Sequence, residues 1–187
     1  MVKHQTRKQQ ATVLRTFRKV HRMMGATLFV FFFVISISGL FLGWKKNSFG
    51  ILLSKTQQGT SKELKDWLPL DSLEKNAFRY LKEEISTDIS VTVKRIDVRK
   101  NKGIVKFVFT KYYGVQLDGS SGGLLSVERR YSDFIEELHD GSALDTYFKT
   151  TGNPIKLVYT TVMSIALLLF TITGFWLWLG PKRMRKR

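Results

Sequence analysis

Hydrophobic and polar positions follow two regimes along this chain: long uncharged runs toward each end, and short periodic stretches between them. Residues 25–44 (GATLFVFFFVISISGLFLGW) and 157–179 (LVYTTVMSIALLLFTITGFWLWL) carry no charged side chain. A helix rises about 1.5 Å per residue, so some twenty such residues cross the roughly 30 Å of hydrocarbon in a bilayer. Inside lipid a backbone has no water to bond, and a helix is the segment that satisfies its own N–H and C=O groups. Both runs therefore predict transmembrane helices. Ser36 and Ser38 before Gly39 would suit a leader cleavage site, but the apolar run is far longer than the roughly 7–15 residues of a leader's core. The first run is read as an uncleaved anchor.

Between the runs the period changes twice. Residues 45–69 look irregular, broken by Gly50, Gly59 and Pro69, with one short turn around Ser61 to Asp66. Asp71 stands as an N-cap with Glu74 three residues on, and Leu70, Leu73, Ala77, Leu81 and Ile85 recur at helical spacing, predicting a helix over about 71–86. Alternation then predicts strands through Ile89, Val91 and Val93, with a slip at Lys94-Arg95, then Ile96 and Val98. Further strands are expected through Val105, Phe107 and Phe109, through Tyr113, Val115 and Leu117, and through Leu125 and Val127. Turns fall at Asn101-Lys102-Gly103 and at residues 118–123. A last helix near Ser132 to His139 ends at Gly141, and Gly180-Pro181 reads as a helix stop. No internal repeat of useful length is visible. The expected fold is α+β: one helix over an antiparallel meander, flanked by two transmembrane helices. So small a core supplies only a few kcal/mol, so docking on the membrane or a partner is expected to add stability.

Charge orients the spans. The chain has 31 Lys and Arg against 15 Asp and Glu, a formal charge of +16, and every acidic residue lies between the two runs. Lys3, Arg7, Lys8, Arg15, Arg18, Lys19 and Arg22 precede the first, and Lys182, Arg183, Arg185, Lys186 and Arg187 follow the second. Cytoplasmic loops concentrate Lys and Arg, so both ends are expected in the cytoplasm and the insert outside. The resulting division is a basic tail over 1–22, a span over 23–44, an extracytoplasmic module over 45–155, a span over 156–179 and a basic tail over 180–187. Trp44 and Tyr159 fall at one interface, and Trp176 and Trp178 at the other. The basic charge thus serves topology; it accompanies no recognition motif, and nucleic acid is not expected as a partner. With no cysteine in the chain, disulfides and thiolate metal sites are excluded.

Four segments carry a family resemblance: RKVHRMMG (Arg18 to Gly25) leading into ISISGLFLGW; the turn-bearing YYGVQLDGSSGGLLSVERR; LHDG (Leu138 to Gly141); and TITGFWLWLGPKR. Together, over nearly the whole chain, this order resembles the PepSY-associated transmembrane proteins. Members with more spans are similar in part to iron-regulated membrane proteins and ferric-siderophore reductases, which carry b-type haem between histidines; this chain has two spans where those have four or more. The resemblance implies a bacterial inner-membrane protein. It implies either an accessory or electron-transfer subunit with haem b in iron or siderophore acquisition, or a non-enzymatic membrane-anchored PepSY module that binds or regulates. Expected partners are the lipid bilayer and a homodimer mate or related membrane subunit.

The chain has three histidines, His4, His21 and His139, and His4 in the basic tail is given no role. Gly25, Leu28, Phe32, Ser36, Gly39 and Gly43 follow His21 at steps of three or four, a stripe of small residues that suits helix packing. Thr160, Ser164, Thr171 and Gly174 form the matching face of the second span. His21 is either a boundary histidine bonding lipid phosphate or a carbonyl, or an axial haem ligand with Gly25 leaving room for the macrocycle. His139 is either a helix-end histidine or a second ligand or proton carrier. About 30 Å of bilayer is expected between them, so they cannot grip one iron, and any haem must use two chains, a partner protein or a single histidine. Glu136, Glu137, Asp140 and Asp145 could attract a metal cation, although a solvated carboxylate face is commoner. No hydrolase triad, nucleotide loop or broken transport helix is present.

The absence of cysteine makes the topology directly testable. A Lys62→Cys variant should react with a membrane-impermeant maleimide in spheroplasts, and Thr12→Cys only after permeabilisation. The reverse labelling pattern would invert the topology.

Overall fold

The computed structural model describes the backbone of residues 2–185 and the side chains of residues 8–182. Its elements run α1 (Val2–Trp44), α2 (Leu70–Glu84), β1 (Val93–Arg99), β2 (Ile104–Phe109), β3 (Tyr113–Asp118), β4 (Leu124–Arg129), α3 (Tyr131–Asp140), α4 (Ser142–Phe148) and α5 (Pro154–Arg185). They form two compact units, Met1–Gly39 with Glu137–Arg187, and Leu40–Glu136.

In the first unit α1 and α5 run antiparallel. Leu14 lies against Gly180, the Phe17 ring lies 6.3 Å from Trp176, and Phe31 lies 6.2 Å from Tyr159. At 43 and 32 residues the helices are about 64 and 48 Å long, well beyond the hydrocarbon thickness. Only 6% and 17% of their most apolar windows are buried, unlike the core helices of a soluble protein. These are membrane helices whose remaining surface is solvated by lipid. Both extend past the expected boundaries. α1 continues back through the basic tail, where Lys, Arg, Gln and Ala favour helix and no Gly or Pro intervenes. α5 passes through Gly180-Pro181, expected to stop it. Leu14 packs on Gly180 there, and proline costs the helix one backbone bond without ending it.

The hydroxyls of the spans are turned onto their own helices. Ser36 donates to Phe32 O (2.7 Å), Ser38 to Val34 O (2.6 Å), Thr160 to Lys156 O (2.8 Å), Thr171 to Leu167 O (2.9 Å) and Thr173 to Leu169 O (2.8 Å). In hydrocarbon this i−4 bond replaces the water that a bare hydroxyl would need. α5 starts under a side-chain cap: the Asp145 carboxylate accepts the N–H groups of Ile155 (3.1 Å) and Lys156 (2.7 Å) and the Thr150 hydroxyl. Burial alone would raise the Asp145 pKa; these donors outweigh it and hold the carboxyl below its usual range.

The second unit is a four-stranded antiparallel meander in the order β1-β2-β3-β4. Leu73, Ala77 and Leu81 of α2 cover Val105, Phe107, Phe109, Val115 and Leu117 to make its core. The α+β architecture expected from the pattern is present. Details differ. α2 begins at Leu70, with Pro69 in the cap position and its carbonyl taking the N–H groups of Ser72 and Leu73; Asp71 therefore sits in the first turn. Ile89 and Val91 precede β1, whose bulge falls between Val93 and Arg95, at the expected slip. An irregularity in the β3–β4 ladder sets Leu124 opposite Leu117, so Leu124 and Val127, rather than Leu125, pack on the core. α4 adds a helix beyond those the pattern predicts; Gly141 adopts φ 80° and breaks the chain between α3 and α4.

The sheet's other face is polar, and residues 55–60 cross it as a strap. Gln116 accepts the Gln57 N–H (3.0 Å) and donates to Lys55 O (3.1 Å), while Lys106 donates to the Thr56 hydroxyl (2.9 Å). Asp118 accepts the Thr60 N–H (2.9 Å) and hydroxyl (3.1 Å). Burial would raise Asp118, but N–H donors from Ser120, Ser121 and Thr60 and the Thr60 hydroxyl keep its pKa below the usual carboxylate range.

Phe107 is fully buried at the centre of the core. Phe107→Ala should cost about 3–5 kcal/mol, read as a lower unfolding midpoint of the strand-bearing unit in detergent. A wild-type midpoint would contradict this core.

Candidate functional site

His21 and His139 each lie in a clasp built from a hydroxyl and a glycine of a membrane helix. On α1, His21 Nδ1 lies 2.9 Å from Thr173 Oγ1 of α5, and its ring stacks on Phe170 at 3.9 Å between centroids. A Cβ on Gly174 would come within 3.3 Å of His21 Cε1. At the end of α3, His139 Nδ1 lies 2.9 Å from Ser38 Oγ of α1, and a Cβ on Gly39 would come within 3.4 Å of His139 Cε1. In both clasps the ring edge rests on a glycine beside the hydroxyl it bonds.

A hydroxyl has one proton, and those of Thr173 and Ser38 are committed to Leu169 O and Val34 O. With those bonds kept, each oxygen accepts and each imidazole donates from Nδ1; a hydroxyl turned onto the ring instead would make Nδ1 the acceptor. In the neutral ring the first arrangement leaves the Nε2 lone pair free, the state in which a histidine coordinates a metal or accepts a proton.

The two clasps do not meet. Seventeen residues of α1 separate His21 from Ser38, about 25 Å along the helix, so each lies toward a different end of the span. Between α1 and α5 runs a groove of about 580 Å³ with Phe29, Phe32, Phe33, Met163, Leu167 and Phe170 on its walls. Its polar lining comes from Ser36, Thr160, Ser164, Tyr159, His139 and Asp140. Asp140 is ion-paired with Lys156 and accepts the Ser142 N–H (2.9 Å). Burial raises its pKa and these partners lower it further than that, leaving the carboxyl below its usual value.

The residues singled out from the sequence are distributed over these features. Gly25 faces Phe170, with a would-be Cβ at 3.3 Å, and lines the groove with Ser36, Thr160 and Ser164. Gly39 and Gly174 support the two rings, whereas nothing lies within 4 Å of a Cβ on Gly43. His4 lies outside the residues whose side chains are described. Among the described residues no three His, Asp or Glu side chains are placed to hold a metal ion. Sequence reading missed Ser38, Thr173 and Phe170. A signal was present: Ser36-Ile37-Ser38-Gly39-Leu40-Phe41 and Thr171-Ile172-Thr173-Gly174-Phe175-Trp176 are one motif used twice, once in each antiparallel span. Its short length hid it as a repeat, although both copies stood inside the family segments.

The fold and its clasps define a two-span membrane protein with an α+β module inserted in sequence between the spans. The chain belongs to the PepSY-associated TM region family, whose model matches residues 2–180. No curated protein and no solved structure matches it.

The tautomer assignment is open to nitrogen-15 NMR of labelled histidine. Neutral His21 and His139 should both carry their proton on Nδ1. Thr173→Val should release His21 to the Nε2-protonated form that dominates free imidazole and leave His139 unchanged. A mixed signal for His21 in the unaltered protein would contradict the clasp.

Proposed function

We propose that this chain is a haem-b-binding electron-transfer subunit of iron or siderophore acquisition in a bacterial inner membrane, acting with a second copy of itself or a related membrane subunit. The observation that carries the reading is the pair of clasps, about 25 Å apart along α1, each holding an imidazole through a contact at Nδ1 and leaving Nε2 outside that contact. Axial histidines are ordinarily held this way, by a hydrogen bond from the ring nitrogen that does not face the iron. The donor set fits the group: neutral imidazole suits haem iron, and one imidazole at each end matches a site completed by another chain. The groove beside Gly25 also falls within the usual range for cofactor sites, about 300–1,000 Å³.

Bound haem would supply one-electron reduction across the membrane. The chain's own residues do the rest of the work. Thr173 and Ser38 orient the rings, Gly174 and Gly39 allow their close seating, and the phenylalanines keep water from the groove. The cytoplasmic ends and exported insert expected from charge would place one clasp near each side of the membrane.

Purified from haem-replete membranes, the protein should show a Soret band, and His21→Ala and His139→Ala should each reduce it while the chain stays in the membrane. No Soret band in the unaltered protein would overturn the proposal and leave the anchored binding module as the reading.

A further inference from the structure

The turn after the first span carries an aromatic side chain under strain and without cover. Ser48 O accepts the Ile51 N–H (3.0 Å) and Ser48 Oγ accepts the Leu52 N–H (3.1 Å). The two central residues, Phe49 and Gly50, have φ of 54° and 89°. Such primed turns favour Asn-Gly, because a bulky residue is sterically disfavoured at positive φ. Phe49 is nonetheless 93% exposed and Ile51 70% exposed, so the strained ring gains no packing within the chain. The turn lies a few residues beyond Trp44, the end of the membrane helix, in the same compact unit.

A second observation concerns charge. A groove of about 620 Å³ in this unit is lined by seven Lys or Arg side chains against three carboxylates. Lys45 pairs with Glu136, Arg95 with Asp97, and Arg130 with Asp133 and with Glu128 below the groove. Among the described residues, no carboxylate lies within ion-pair distance of Lys46, Lys55, Arg99 or Lys106. Lys106 is only 6% exposed, and its ammonium donates to the uncharged Thr56 hydroxyl. Burial pushes its pKa down. Glu128 and Asp97, the cross-strand neighbour of Lys106, act on this ammonium in the opposite sense, but the lining as a whole keeps seven cations against three carboxylates, a surplus that an anion completes.

We propose that this part of residues 40–136 is a membrane-surface site for an anionic phospholipid, with Phe49 and Ile51 entering the acyl boundary and the groove's surplus cations holding the phosphate headgroup. The occupant follows from continuity with the span. Lys45 and Lys46, which line the groove, follow Trp44 directly in the chain, at the end of the span. Apolar insertion joined to basic charge is the combination that selects anionic membrane surfaces. This site is independent of the histidine clasps and stands or falls without haem.

The full-length chain in nanodiscs tests it. Phe49→Trp should give blue-shifted emission, quenched by brominated lipid and shielded from acrylamide. In native mass spectrometry the protein should retain phosphatidylglycerol in preference to phosphatidylcholine. The exposed triple variant Lys46→Gln/Lys55→Gln/Arg99→Gln should lower that retention several-fold without changing the indole signal. Equal retention by the triple variant, or an introduced indole open to acrylamide, would overturn the proposal. Displacement of the retained lipid by inorganic phosphate would also overturn it, assigning the groove to a free anion.

Discussion

Hydrocarbon offers no hydrogen bonds, and the architecture of the spans answers that deficit group by group. Serine and threonine hydroxyls turn back onto carbonyls four residues earlier, which commits their protons to the helix but leaves each oxygen able to accept once more. Two of those hydroxyls, on Ser38 and Thr173, also lie 2.9 Å from Nδ1 of His139 and of His21. The adjacent glycines admit the rings: a methyl group at Gly174 would press on the His21 edge at 3.3 Å, and one at Gly39 would just touch His139 at 3.4 Å.

The same rule operates differently in the strand-bearing unit, where one face of the sheet is apolar and the other polar. Phe107, Val115 and Leu117 bury themselves against α2. On the opposite face Lys106, Gln116 and Asp118 find partners in an irregular strap rather than in a second layer of regular structure. That strap begins soon after the membrane helix ends, so the segment joining span to module is held by side chains that alternate with the core residues on the same strands.

Membership of the PepSY-associated family and the α+β class were both legible in the sequence. The apolar runs, the period-two stretches and turns such as Asn101-Lys102-Gly103 are local patterns, and local sterics and hydrophobicity write them directly into residue order. The errors lay where a neighbour in space overruled local preference. α5 continues through Pro181 where Leu14 packs on the preceding glycine. Leu124 displaces Leu125 from the core because a ladder irregularity shifts the register by one residue. α4 follows Gly141, where the local pattern signals only an end.

The histidines show the same division. Residue order alone placed His21 just before one apolar run and His139 in the insert that follows it. What each ring touches was a matter for tertiary structure alone. Ser38 and His139 are a hundred and one residues apart, and His21 and Thr173 a hundred and fifty-two. Only the folding back of the chain brings such groups within bonding distance, and only that contact, with the hydroxyl proton already committed to its own helix, decides which ring nitrogen is left free.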